Sequence, residues 1–159
     1  MHYQYDGTFF GFLTAVHEAY MDGTGCVEGI ENELAGESLF GRERVIVSDF
    51  GKAERVMDAF LRECGNWAAH LLYCGFLSGK PGIELPLFRY ICLAFRLKKQ
   101  LYVHQRDPIV WEIKELARKT ENESYRMLGL LRFSELADGM LYAEFKPDHN
   151  VVPLMASHF

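Results

Sequence analysis

The chain has 159 residues, 49% of them apolar and 25% charged, which is the size and balance of one ordinary globular domain and excludes a disordered or collagenous chain. No apolar run reaches the roughly 18 residues that a membrane span needs, and the four cysteines form no C-x-x-C pair, which argues against a bilayer span, a zinc ribbon and a disulfide scaffold. The formal net charge is −5 but is unevenly spread: residues 89–132 carry ten Lys/Arg against five Asp/Glu, and the segments on either side are acidic.

In chain order, Tyr3 to Tyr5 can form a short strand. Asp6 and Thr8 are alternative N-caps for a helix over 9–21, with Phe9, Leu13, Val16 and Tyr20 on its apolar stripe. Residues 23–42 hold five glycines and four glutamates and read as a loop or insertion. Val45, Ile46 and Val47 give a β-branched strand signal, and Ser48 or Asp49 caps the helix that follows. Its apolar residues Ala53, Val56, Met57, Phe60, Leu61 and Cys64 recur at helical spacing until Gly65. Gly65 ends it, Asn66 can cap the next helix from Trp67 to about Leu77, and Ser78-Gly79-Lys80-Pro81-Gly82 breaks the chain.

The next helix spans about 84–98, with Pro86 tolerated in its first turn. Arg89 and Arg96 are seven apart and share one face. Asp107 caps a further helix with Pro108 in its first turn. Ile109, Ile113, Leu116 and Thr120 form the expected inward stripe, while Trp111, Lys114, Arg118, Asn122 and Tyr125 group on another face. Glu115–Lys119 and Lys119–Glu123 are possible i,i+4 pairs. Beyond Gly129 the period becomes two. A hairpin around Ala137-Asp138-Gly139 is expected, with Gly139 left-handed, Ser134 opposite Tyr142, and Leu131, Phe133, Leu141, Ala143 and Phe145 on one buried face. The predicted fold is α+β: a mostly helical single domain over 1–159 with a small antiparallel sheet and a C-terminal β-hairpin.

Several runs, taken together, resemble one family. They are Tyr5-Asp6-Gly7-Thr8-Phe9-x-Gly11-Phe12-Leu13-Thr14-Ala15, Ser38-Leu39-Phe40-Gly41, Arg89-Tyr90-Ile91, Leu116-Ala117-Arg118-Lys119, the block from Leu131-Arg132-Phe133 through Asp138-Gly139 to Leu141-Tyr142-Ala143, and Pro147-Asp148-His149-Asn150-x-x-Pro153-Leu154. The family is the bacterial "probable DNA metabolism protein" group of unknown function. The resemblance implies a setting in DNA metabolism or repair. Its members are encoded beside a DNA-repair radical SAM protein, and related domains are fused to a uracil-DNA-glycosylase-like domain. The family pattern usually has His at the position of Tyr125 and Lys or Arg at that of Leu128, and it runs on past Phe159. A shortened form is therefore an expectation.

The residues offer two candidate sites. The first is a basic and aromatic nucleic-acid surface: Arg89, Arg96, Lys114, Arg118 and Arg132 for phosphates, with Trp111 or Tyr125 to stack a base. The bland reading of the same residues is helical ion pairs, Arg132 paired to Glu144, and Trp111 in the core. The second is Asp148-His149-Asn150, where His149 would act as a general base with Asp148 and Arg132 nearby, as in a small hydrolase or nuclease on damaged DNA. Asp and Asn are also ordinary turn formers. A third possibility is a protein-interaction module docking the radical SAM partner. The six histidines form no H-x-x-x-H or H-E-x-x-H, and Cys74 with His70 reads as two residues on a helix flank. No G-x-G-x-x-G, P-loop or G-x-S-x-G is present, so neither cofactor nor metal is expected. The chain opens on Met1-His2-Tyr3 with no basic-then-apolar leader, and the expected compartment is a reducing bacterial cytoplasm with no membrane partner.

Overall fold

The computed structural model describes residues 1–32 and 43–159. Strand β1 (His2–Tyr5) leads into helix α1 (Phe9–Asp22), which Thr8 caps by accepting a hydrogen bond from the Gly11 N–H at 2.9 Å. A short 3-10 turn (Thr24–Cys26) precedes β2 (Gly29–Asn32). Strand β3 (Glu43–Val45) follows, then α2 (Phe50–Cys64), capped by Asp49, and α3 (Asn66–Leu77). Helix α4 (Glu84–Leu97) runs into a 3-10 segment (Lys98–Val103). Helix α5 (Pro108–Leu130) is the longest described element, at 23 residues. A small hairpin, β4 (Ser134–Glu135) and β5 (Leu141–Tyr142), and the short α6 (Val152–Ala156) complete the fold.

The architecture is α+β, with antiparallel pairing in the C-terminal hairpin. The N-terminal strands pair differently. They form a parallel sheet in the order β2-β1-β3, because α1 carries the chain back over the sheet before β2 begins. Residues 23–32 are therefore only partly loop. Ile30 is buried beside its register partner Tyr3, and Gly29 is there for space, since a Cβ on it would lie 2.5 Å from His2 Nδ1. The rest of the expected insertion, with Ser38-Leu39-Phe40-Gly41, lies outside the described residues. Strand β3 ends at Val45, earlier than the Val45–Val47 signal, yet the Ile46 N–H still donates to the Gln4 carbonyl at 2.7 Å.

The core gathers around α3, which packs on α5, α2 and α4, while α1 packs on α2. Phe12, Phe60, Leu72, Leu87, Ile91, Leu101 and Ile113 are fully buried in it. On α5 the deeply buried residues are Val110, Ile113, Ala117, Thr120, Glu123, Ser124 and Met127. That stripe is rotated from the expected Ile109–Leu116 line, and both of those residues stay half-buried. The cause is close approach. Gly75 of α3 faces Ile113, where a Cβ would sit 3.2 Å from Cγ2, and the small Ala117, Thr120 and Ser124 occupy the buried stripe.

The hairpin has the expected register, Ser134 opposite Tyr142, and Gly139 has φ 82°. Its apolar side chains are not buried as expected. Leu131 and Phe145 pack on a small satellite core of Met127, Val151 and Met155, but Phe133 and Leu141 are exposed. Two residues per strand make too small a face to bury a full apolar set.

Candidate functional site

Helix α5 begins at a fixed point. The Asp107 carboxylate accepts from the Ile109 N–H at 2.9 Å, and its carbonyl accepts from the Trp111 N–H at 2.8 Å. This start places Trp111 on the outer face, 59% exposed. From there Glu115, Lys119, Asn122 and Arg126 follow at steps of three or four, so they form one stripe along the helix.

Two clefts line that stripe. The first, about 700 Å³, has Pro108 and Leu116 as apolar lining, Trp111 beside them, and Arg106, Lys80 and Lys119 as its cations. The second, about 290 Å³, is lined by Lys119, Asn122, Glu123, Arg126, Asp148 and His149. Lys119 lines both, so the two clefts meet along α5.

The charges differ in how far they are engaged. Lys80 Nζ donates to Glu112 at 3.0 Å, and Arg118 donates to Glu115 at 2.8 Å. That bond, with the nearby guanidinium charge, holds the Glu115 carboxyl below the usual carboxylate range. Arg106 and Lys119 have no carboxylate within salt-bridge distance among the described residues. Lys119 therefore does not make the expected pairs: Glu115 goes to Arg118, and Glu123 to Arg126 and the C-terminal segment.

Glu123 organises the far end of the groove. It is 6% exposed and accepts from the backbone N–H of Asp148 at 2.7 Å and of His149 at 2.8 Å, and it binds the His149 ring through Nδ1. Burial alone would raise its pKa. The Asp148 N–H, the His149 ring and the His149 N–H outweigh that and bring it below the usual carboxylate range. The Asn150 N–H donates in turn to the Leu77 carbonyl at 2.9 Å, so the Asp148-His149-Asn150 run is clamped to α3 and α5 at once.

The expected site residues fall into separate places. Trp111 lies at one end of the α5 groove, and Asp148 and His149 at the other. Arg118 sits one position round the helix, tied to Glu115. Lys114 turns away to donate to Gln105 Oε1 at 2.6 Å, and Tyr125 is exposed beyond the groove lining. Arg89 and Arg96 are exposed on α4 and line a different cleft of about 380 Å³, with Asp107 and Ile109 on its wall. Arg132 lines neither groove cleft and donates to the carbonyls of Gly129 and Leu131 rather than to Glu144. Groove residues outside the candidate set read from the sequence include Arg106, Lys119 and Glu123. The signal for the first two was only that they stand among the ten cations of 89–132.

Comparison with known proteins adds one match. Residues 81–159, which include α4, α5, the hairpin and the Asp148-His149-Asn150 clamp, match the family model for a domain of unknown function, DUF4130. No curated protein and no solved structure matches the chain.

Proposed function

We propose that this is an accessory protein of bacterial DNA metabolism, acting in the cytoplasm, that binds unstacked nucleic acid along the α5 groove. The observation that carries the reading is the joined cleft, with a largely exposed indole at one end and Arg106, Lys119 and Arg126 spaced along it. Flat rings stack bases and cations hold phosphates, and here, among the described residues, Arg106 and Lys119 are clear of carboxylates while Arg126 shares Glu123 with the C-terminal segment; a groove offering both suits a single strand better than a closed duplex. The DNA setting comes from the family resemblance.

The test is fluorescence anisotropy of a labelled single-stranded oligonucleotide with the full chain at about 50 mM salt. Binding is expected, with log K falling by roughly 2 per decade of salt for three phosphate contacts. Trp111→Ala is expected to cost about 1–3 kcal/mol of binding, the usual worth of one stacked base. Lys119→Ala is expected to flatten the salt dependence. No binding of single- or double-stranded DNA at that salt, or an unchanged affinity in Trp111→Ala, overturns the reading.

One observation favours a second reading, a docking module for a radical SAM or uracil-DNA-glycosylase-like partner. Leu130, Phe133, Leu136, Met140, Leu141 and Tyr142 are all exposed on and beside the hairpin. Co-purification with and without DNA separates the two: DNA-independent capture that Leu141→Ser abolishes favours docking. The hydrolase alternative rests on His149 with Glu123 rather than with Arg132, and a His149→Ala variant that keeps its fold but loses turnover on damaged DNA would favour it.

A further inference from the structure

A second cluster of donor groups lies on the seam between α3 and α5, apart from the groove. His70 and Cys74 are one turn apart on α3, the spacing that puts two side chains on one helix face, and Glu121 meets them from α5. His70 Nε2 is 2.6 Å from Glu121 Oε1 and 3.6 Å from Cys74 Sγ. One donor atom from each of the three residues lies within 4.8 Å of the other two, and among the described residues no second His/Cys/Asp/Glu group meets that condition.

We propose that His70, Cys74 and Glu121 bind a zinc-class divalent ion, with water in the fourth position. Tetrahedral bonds of about 2.3 Å to sulfur and 2.0 Å to nitrogen set an S···N edge of roughly 3.5 Å, close to the present 3.6 Å to Nε2, although Sγ also lies 3.9 Å from Nδ1, so the His70 ring must turn to aim Nε2 at the ion. The N···O edge of such a site is roughly 3.3 Å, so the His70–Glu121 contact must open by about 0.7 Å. Both side chains reach solvent, at 50% and 33% exposure, and can move that far. A thiolate with an imidazole selects zinc over magnesium or calcium, which prefer all-oxygen shells.

The charge balance also fits. On binding, the Cys74 thiol gives its proton to solvent, the imidazole binds neutral and Glu121 binds as carboxylate, so one dication meets two anions. When the metal takes Nε2 of the neutral ring, the ring hydrogen sits on Nδ1, so the thiol proton is the one released. The ion would tie α3 to α5, the helix that carries the groove. The inference does not depend on what the groove binds.

The experiment titrates cobalt(II), then zinc, into the reduced, chelator-treated full chain. A thiolate-to-cobalt charge-transfer absorption saturating at one equivalent is expected, bleached by zinc, with a zinc-dependent rise in Tm. His70→Gln and Glu121→Gln alter side chains that reach solvent. Each is expected to weaken metal by more than the roughly 10–100-fold that outer-sphere changes cost, with unchanged circular dichroism. Cys74→Ser is expected to abolish the charge-transfer band. Absence of the band at one equivalent, or an unchanged affinity in both His70→Gln and Glu121→Gln, overturns the proposal. Those two variants decide the matter even if Cys74→Ser fails to fold.

Discussion

Glu123 looks in sequence like a solvated helix charge, one member of a Lys119–Glu123 pair. In the fold it is buried and satisfied by two backbone N–H groups and an imidazole that lie 25 and 26 residues further along the chain. Glu123→Ala would leave the Asp148 and His149 N–H groups without their charged acceptor. It is expected to cost about 2–4 kcal/mol, given ~1.5–3 kcal/mol for each bond to a charged group and some recovery by water. Urea unfolding measures the loss, and faster limited proteolysis near Pro147 would place it in the C-terminal segment. His149→Ala removes only the ring contact and should cost less. Equal costs for the two would contradict this ordering. The sequence offered Asp148 as the neighbouring carboxylate; the ring instead binds Glu123, two dozen residues away, which nothing local to His149 could name.

Among the elements, the helix caps were the most legible features, because capping is a local bond between a side chain and an N–H two or three residues on. Thr8, Asp49 and Asp107 all cap the helices they precede, whereas Asn66, expected as a cap, is the first residue of α3 and follows a Gly65 N-cap that has no side chain to offer. Less visible was the reason for Gly11. A Cβ there would lie 2.1 Å from Asp6 Oδ1 and 2.8 Å from Ser48 Oγ. Asp6 meanwhile accepts from Ser48 Oγ at 2.6 Å and from the Thr8 N–H at 3.0 Å, joining the end of β1 to the segment before α2. Alanine normally favours a helix interior by about 1 kcal/mol over glycine. Gly11→Ala should instead lower stability by about 1–2 kcal/mol, because the displaced carboxylate loses charged hydrogen bonds. Thermal melting reads the sign directly, and a stabilised variant would contradict the argument. The opposite holds for the hairpin, whose turn and register were local and predictable but whose burial was not.

For the molecule as a whole, acid should be the weak direction. Glu18 accepts from Lys52 Nζ at 2.8 Å and also binds Arg44, and the bond to Lys52, ahead of the other influences, holds its carboxyl below the usual 4.5. Asp6 and Asp49 are held below 3.8, chiefly by bonds from Ser48 and from the Lys52 N–H. With Glu123, these groups have folded-state pKa values beneath their unfolded ones. Their stabilisation is complete above the ordinary carboxylate values and drains as pH falls through the lower folded ones. Tm should be flat above about pH 5 and fall below about pH 4, with Glu18→Gln showing a shallower acid limb. A Tm that rises on acidification would contradict this. Taken alone, the amino-acid sequence determined helices α1 to α5, three of their caps, the hairpin register, the α+β class and the concentration of cations in 89–132, since each depends on neighbours a few residues apart. Tertiary structure decided the parallel pairing of β1 with β2 and β3, which cations share a groove with Trp111, the partner of His149 and the meeting of His70, Cys74 and Glu121. Those contacts join residues far apart in the chain, and their choice depends on how helices rotate when small side chains let them pack closely.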